Sequence, residues 1–230
     1  MKPVRKMRWH SRSVAADVRP RAFTLNELLV VLVLVLILGL LATALPRMYT
    51  GPRNSGVVRC MNNVRQVGLA FTLWANDNGS RFPMSVSTTN GGTLEVVRAG
   101  TAFPHFQIVS NELNTPKILV CPLDASRSAA TNFTSDFCDA RLSYFVGVDA
   151  DPANPRGLLT GDRNLSFNGQ TGLLGLATLA SNAPAAWVTT NLHKTLGVVG
   201  FADGSAQRIT TAQLRQALAA SGTTNRLAIP

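Results

Sequence analysis

The residues able to do chemistry in this chain are few and widely spaced. Glu27 is a carboxylate at the mouth of the run Leu28 to Leu45, eighteen residues without a charge. A charge held in lipid costs about 2.5 kcal/mol or more unless it is paired, so Glu27 asks for a cationic partner. His193 and Asp203 stand in the spacing His-x9-Asp, followed by Gly204. Asp149, Asp151 and Asp162, with Asn154, are oxygen donors in a stretch that also holds Pro152, Pro155 and Gly157. Cys60, Cys121 and Cys138 complete the set.

None of these groups meets a catalytic template. The chain lacks a G-x-S-x-G elbow, an H-E-x-x-H pair, a phosphate-cradling G-x-x-x-x-G-K and a dinucleotide fingerprint. If Leu196 to Ala202 is one extended strand at about 3.3 Å per residue, His193 and Asp203 lie about 25–30 Å apart. One active site or one metal could not use both, so structural roles are expected: Asp203 makes a turn, and His193 caps or packs at the strand entrance. Calcium wants about six to eight oxygens. Asp149-Ala150-Asp151-Pro152-Ala153 opens like a calcium loop, but its fifth position has no side-chain oxygen and Pro152 disturbs the geometry. The competing reading of Asp149, Asp151 and Asp162 is solvated turns, with Asp162 and Arg163 making local contacts. Zinc ligation by cysteines is weakly supported, because no two are closer than seventeen positions. No other cofactor and no enzymatic activity are expected.

The elements that must position these groups begin with a membrane helix. Counting from Phe23 to Leu45 gives twenty-three residues, enough at about 1.5 Å per residue to cross a hydrocarbon core. The formal charge of +10 belongs mostly to residues 1 to 22, which hold seven Lys or Arg and one Asp, leaving +4 for the rest. Nucleic-acid binding thereby loses its main support. The same bias keeps the N-terminus cytoplasmic and places the domain from about residue 47 outside the membrane, where disulfides persist. Three cysteines allow one bridge and one spare thiol. Cys121 with Cys138 would close a loop, Cys60 with Cys121 would tie a helix to the domain, and three buried reduced thiols are the alternative.

The pattern breaks at Thr50-Gly51-Pro52. It resumes as Val57, Met61, Val64, Gly68, Phe71 and Ala75, an amphipathic helix from about Asn54 to Asp77. Residues 84 to 116 read as a loop-rich insertion, with edge strands at Leu94 to Val97 and Phe106 to Val109. Further strands are expected at Lys117 to Cys121, Leu142 to Gly147 and Leu158 to Thr160, the last leading into a turn at Gly161 to Asn164. Leu196 to Ala202 and Ser205 to Ile209 flank Asp203-Gly204, type I′ hairpin chemistry. Thr210-x-x-Gln213 is a capping box for a helix to about Ala220. The tail 221 to 230 is expected to be flexible. The organisation is then a leader (1–22), a transmembrane helix (23–46), an amphipathic continuation (47–79), a head (80–220) and the tail, an α+β chain with a long N-terminal helix on a small antiparallel sheet.

Ala22-Phe23-Thr24-Leu25-x-Glu27 with the apolar run resembles the prepilin N-terminus of type IV pilins and type II secretion pseudopilins. Cys60 to Ala70, Asn78-Gly79, Phe82-Pro83, Cys121-Pro122-Leu123-Asp124 and the His193/Asp203-Gly204 spacing resemble the pilin-like proteins with a His-x9-Asp-Gly motif known from planctomycetes and verrucomicrobia. The resemblance implies cleavage by a membrane prepilin peptidase between Ala22 and Phe23, although Gly is usual where Ala22 stands. It also implies methylation of the new amine at Phe23, a meeting of Glu27 with an N-terminal amine during assembly, and a pilin-like fold. The implied function is that of a structural subunit of a pseudopilus or pilus, for type II-like secretion. Its implied partners are copies of itself, other pilin-like subunits, the peptidase and an inner-membrane assembly platform. Two rivals are a monomeric membrane-tethered binding module and a tethered hydrolase, the latter needing His105 or His193 beside a nucleophile and a carboxylate.

Overall fold

The computed structural model describes residues 24–48, 52–188, 192–221 and 224–230, with side chains described over 24–41 and, in the later part of the chain, from 55 onward. Ala22, Phe23 and the rest of the leader lie outside the described residues. The chain divides into two compact units, one up to Thr50 and one from Gly51 on.

The first unit is helix α1 (Leu25–Met48). Thr24 caps it: the Thr24 backbone N–H and hydroxyl both donate to Glu27 Oε2 at 2.9 Å, and the Glu27 N–H donates to Thr24 Oγ1 at 3.3 Å. Thr-Leu-Asn-Glu is thus a reciprocal capping box, which satisfies N–H groups that the first helical turn leaves open. Residues 24 to 41 are all exposed, and the consecutive apolar residues Leu28 to Leu38 occupy the whole circumference. Within residues 24–41 no helix is long and apolar enough to cross a membrane; the expected span to Leu45 lies partly outside those residues.

The second unit begins with α2 (Pro52–Asp77). Its buried face is Cys60, Val64, Val67, Phe71 and Trp74, spaced four and three. This face is turned from the expected stripe, because Cys60 and Trp74 go inside whereas Val57 and Met61 are only half-buried. Gly79, at φ +70°, takes the left-handed conformation that ends the helix. The segment 82 to 143 carries no strand of the sheets. Leu94–Ala99 and Pro116–Leu119 are 3-10 turns, and Phe103–Gln107 (α3) and Ser110–Leu113 (α4) are short helices. The strands expected at Leu94 to Val97, Phe106 to Val109 and Lys117 to Cys121 are therefore corrected to helical turns. Pro104 and Pro116 sit in the first turn, where proline's fixed φ suits a helix start.

The strands are β1 (Tyr144–Gly147), β2 (Leu158–Asp162), β3 (Leu165–Phe167), β4 (Gly175–Leu179), β5 (Ala185–Trp187), β6 (Leu196–Phe201), β7 (Ala206–Thr210) and β8 (Asn225–Ile229). Six form an antiparallel sheet in the order β4-β8-β1-β2-β6-β7, and β3 pairs with β5. The fold is α+β. Both faces of the six-stranded sheet are covered. Tyr144, Val146, Leu159, Val198 and Ala228 face α2 and the 82–143 segment, where Phe71, Phe82 and Phe106 cluster. Phe145, Val199, Leu227 and Ile229 face the other way, onto β3, β5 and α5 (Thr211–Ala220).

Three further expectations change. The tail is not free: β8 lies between β4 and β1, with Leu227, Ala228 and Ile229 buried. The turn expected at Gly161 to Asn164 is displaced, since β2 continues through Gly161 and Asp162. The β6–β7 turn is not type I′, because only Gly204 has a positive φ, +79°. The Gly204 N–H donates to Phe201 O and the Phe201 N–H to Ser205 O, both at 2.9 Å, a three-residue loop closed by a left-handed glycine. Thr210 caps α5 with Gln213 reciprocally, in agreement with the capping-box reading.

Candidate functional site

Four side chains from four separate segments meet under the α2 face of the sheet. Cys60 comes from α2, Cys121 from the turn after Pro116–Leu119, Asp162 from the end of β2, and His193 from the turn leading into β6. Their donor atoms all lie within 4.8 Å of one another. Cys121 Sγ is 3.3 Å from His193 Nε2, which is 3.4 Å from Asp162 Oδ2. The Cys60 thiol is 3.5 Å from Asp162 Oδ1 and 3.4 Å from the Tyr144 hydroxyl. All four residues are buried, with exposures of 0 to 8%.

Each member is held by local chemistry. Cys60 is one turn before Val64 on the buried face of α2. Cys121 sits in the Cys-Pro-x-Asp turn, where the Asp124 N–H donates to the Cys121 carbonyl at 2.9 Å. Asp124 is itself buried and accepts from Ser143 Oγ, from Ser126 and, through two bonds, from Arg163. Although burial pushes the other way, those bonds hold its carboxyl below the usual carboxylate range. On the helix side, Asn63 Nδ2 donates to Val120 O at 3.3 Å. Asp162 lies opposite Tyr144 in the β1–β2 ladder and accepts the Val198 N–H at 2.7 Å. His193 is aimed by an unusual backbone, since its neighbours Leu192 and Lys194 both have positive φ, +52° and +60°. For a bulky residue such as Leu192 that conformation is disfavoured and has to be held by its surroundings.

The electrostatics are those of a negative cluster without a Lys or Arg among the four. Burial raises the Asp162 carboxyl to about 7, against the pull of His193. The hydrogen bond from Cys60, with help from His193 and against burial, lowers Cys121 to about 5. Cys60 moves up, driven by its bond to Cys121 and by burial. Burial opposes a proton on His193, but Cys121 and Asp162 together raise its affinity.

Several expectations are corrected here. Cys60 and Cys121, candidates for bridging, are both unbridged and buried, and Cys138 is unbridged and exposed. Asp162 is no calcium-loop residue: it is fully buried in a strand and faces sulfur and nitrogen. Asp149 lies beyond the other end of that ladder and accepts from the backbone and guanidinium of Arg226. Asp151 accepts the Ala153 N–H at 2.9 Å, stabilising its own turn. The calcium set is therefore dispersed among turn and pairing roles. His193 does sit at the entrance to β6 and Asp203 makes the turn at its far end, accepting the Ser205 N–H at 2.8 Å. The further partners of His193 were not foreseen. Gly204 has a separate role: a side chain at Gly68 of α2 would place its Cβ 3.4 Å from the Gly204 Cα, so helix and hairpin meet through two glycines.

The arrangement resembles a cysteine–histidine–aspartate set but not in a relay. A nucleophilic triad needs the nucleophile on one ring nitrogen and the carboxylate on the other. Here Cys121 and Asp162 both approach Nε2, and His193 Nδ1 has no hydrogen-bond partner among the described residues. The thiols are also shut away from any substrate. His105, the other histidine the hydrolase reading could use, is buried against the Thr93 hydroxyl at 2.7 Å. No protein-family model, no curated protein and no solved structure matches the chain.

Proposed function

We propose that this chain is a prepilin-like structural subunit, cleaved between Ala22 and Phe23, methylated at Phe23 and assembled through its N-terminal helix into a pseudopilus or pilus. One observation carries the reading: every residue of α1 from Leu25 to Leu41 is exposed, and the apolar side chains among them run all round the helix. A helix that is apolar on every side belongs in a membrane or in the interior of an assembly. In a fibre it leaves lipid by packing against other such helices, which supplies van der Waals contact in place of acyl chains.

Glu27 is the assembly residue in this reading. Before assembly Thr24 shares its load, since the capping box gives the carboxylate two donors. In the fibre the amine created by cleavage gives it a cation. The leader's positive charge keeps the N-terminus cytoplasmic and the head outside. The partners are copies of the chain, other pilin-like subunits, a prepilin peptidase that also methylates, and an inner-membrane platform; the protein does no catalysis itself.

Intact-mass measurement of membrane-extracted protein tests the claim. The expected chain starts at methylated Phe23, and a Met1 start in cells that contain the peptidase sinks the proposal. Glu27→Ala should insert normally yet lose fibre assembly; normal fibres from that variant remove the role given to Glu27.

A further inference from the structure

We infer that Cys60, Cys121, Asp162 and His193 form a closed structural zinc site that staples α2, the Cys-Pro-x-Asp turn, β2 and the entrance to β6 together. The inference is independent of fibre assembly.

Three observations carry it. The first is the donor set: two sulfurs, one imidazole nitrogen and one carboxylate, four in all, which is the ligand number and softness that zinc takes in structural sites. The second is distance. Zinc bonds of about 2.3 Å to sulfur and about 2.0–2.2 Å to nitrogen and oxygen make the edges of a tetrahedron about 3.3–3.8 Å long. Three of the six separations fall in that range: 3.3 Å from Cys121 Sγ to His193 Nε2, 3.4 Å from His193 Nε2 to Asp162 Oδ2 and 3.5 Å from Asp162 Oδ1 to Cys60 Sγ, and the others are no longer than 4.8 Å. A hydrogen-bonded relay would leave the ends of the path far apart, whereas here the end members Cys60 and Cys121 also lie within 4.8 Å of each other, and two of the donors share His193 Nε2.

The third observation is what surrounds that point. A fully buried carboxylate and two buried thiols have no Lys or Arg among them, and one imidazole offsets at most one negative charge. Buried charges are costly unless paired or bound to a metal. Two thiolates, a carboxylate and neutral His193 around a divalent ion leave a net of about −1, and the Val198 N–H donates to the same carboxylate. Leu192 and Lys194, both in the left-handed region, bracket His193, one of the two ligands that no regular element carries. Such conformations tend to gather at ligand clamps. With all four positions filled by protein, no place is left for water, so the site stabilises and does not catalyse.

The test uses the full chain, extracted in detergent, purified without a metal-chelating tag and given one equivalent of zinc before desalting. Elemental analysis should return about one zinc per chain. Cobalt in its place should give the intense visible absorption of a tetrahedral thiolate complex. Cys60→Ser, Cys121→Ser and His193→Gln should each reduce the bound metal at least tenfold, and Cys138→Ser should leave it unchanged. Since a ligand variant can fail by misfolding, the wild-type protein is also titrated with a chelator. Release of zinc should lower the melting temperature and make two further thiols reactive beyond that of Cys138. Folded wild-type protein with less than about a tenth of an equivalent of zinc overturns the inference. So does a Cys60–Cys121 disulfide found by mass, metal retained in the Cys60 and Cys121 variants, or metal lost with Cys138.

Discussion

His105 gives the sharpest test of the packing on the α2 side of the sheet. It is wholly buried, its Nδ1 meets Thr93 Oγ1 at 2.7 Å, and its Nε2 has no partner among the described residues. Burial lowers its proton affinity from the ordinary value of 6.5 to about 4. The unfolded chain therefore takes up a proton below about pH 6.5 that the folded chain refuses until about pH 4. Stability from this group is complete above pH 6.5, falls as the pH drops and levels off near pH 4. At about 1.4 kcal/mol per tenfold change in affinity, the loss across that window is about 3 kcal/mol. The perturbation is His105→Gln, which keeps an amide for Thr93 and does not titrate. Denaturant unfolding, followed by the fluorescence of buried Trp74 and Trp187, would be run from pH 7 to pH 4 on both proteins. Subtracting the curves removes the other titrating groups that the two proteins share. The wild type should lose about 3 kcal/mol more than the variant. Parallel curves would refute the claim that a neutral His105 is locked in the core.

Two further outcomes follow from pairing and topology. Arg163→Ala leaves the buried Asp124 carboxylate with only Ser126 and Ser143, and it should cost about 3–5 kcal/mol; a urea midpoint corresponding to less than about 1 kcal/mol would show that the turn is held by other contacts. Deleting 225–229 removes Leu227 and Ile229, worth about 3–6 kcal/mol together, and breaks the ladders to β4 and β1. The head should then be cut rapidly in limited proteolysis, and a resistant head would mean that β8 is dispensable.

Sequence periodicity located much of this fold but only part of its site. The four-and-three spacing of α2, the Thr210/Gln213 cap and the strand at Tyr144 were legible because local preference and tertiary packing agree there. Leu94 to Val97, Phe106 to Val109 and Ile118 to Val120 were misread because a short apolar run fits a buried turn as well as a strand. Pro104, Pro116 and Gly100 carried the better signal. The sheet is covered on both faces, so β8 lost the alternation that marks a half-exposed strand.

Linear spacing hid the four-residue site for a physical reason. Its members come from a helix, two turns and a strand, and only the β1–β2 register and the packing of α2 bring them together. Cys60 did announce itself, as the missing member of a stripe that continues through Val64, Val67 and Phe71. Asp162 did as well, being a lone carboxylate at the end of the uncharged run Leu158 to Gly161. The Thr24-x-x-Glu27 box is equally visible in the sequence, since it has the same spacing as Thr210-x-x-Gln213, and it supplies the carboxylate with a hydroxyl donor one turn away.

The position of β8 has a consequence for the time course of folding. β8 follows every other strand in chain order, yet it lies inside the sheet, and β4 is hydrogen-bonded to it alone. The segment Ala206 to Ile229 must emerge before β4 has a neighbour and before β1 gains its second one. Pairings this far apart in sequence close slowly. A chain that emerges gradually would therefore wait as an open sheet, with the edge of β1 uncovered, and then close in one late step. Edges of that kind invite pairing with neighbouring chains, so the rate at which β8 arrives sets how long each molecule is exposed to its own copies.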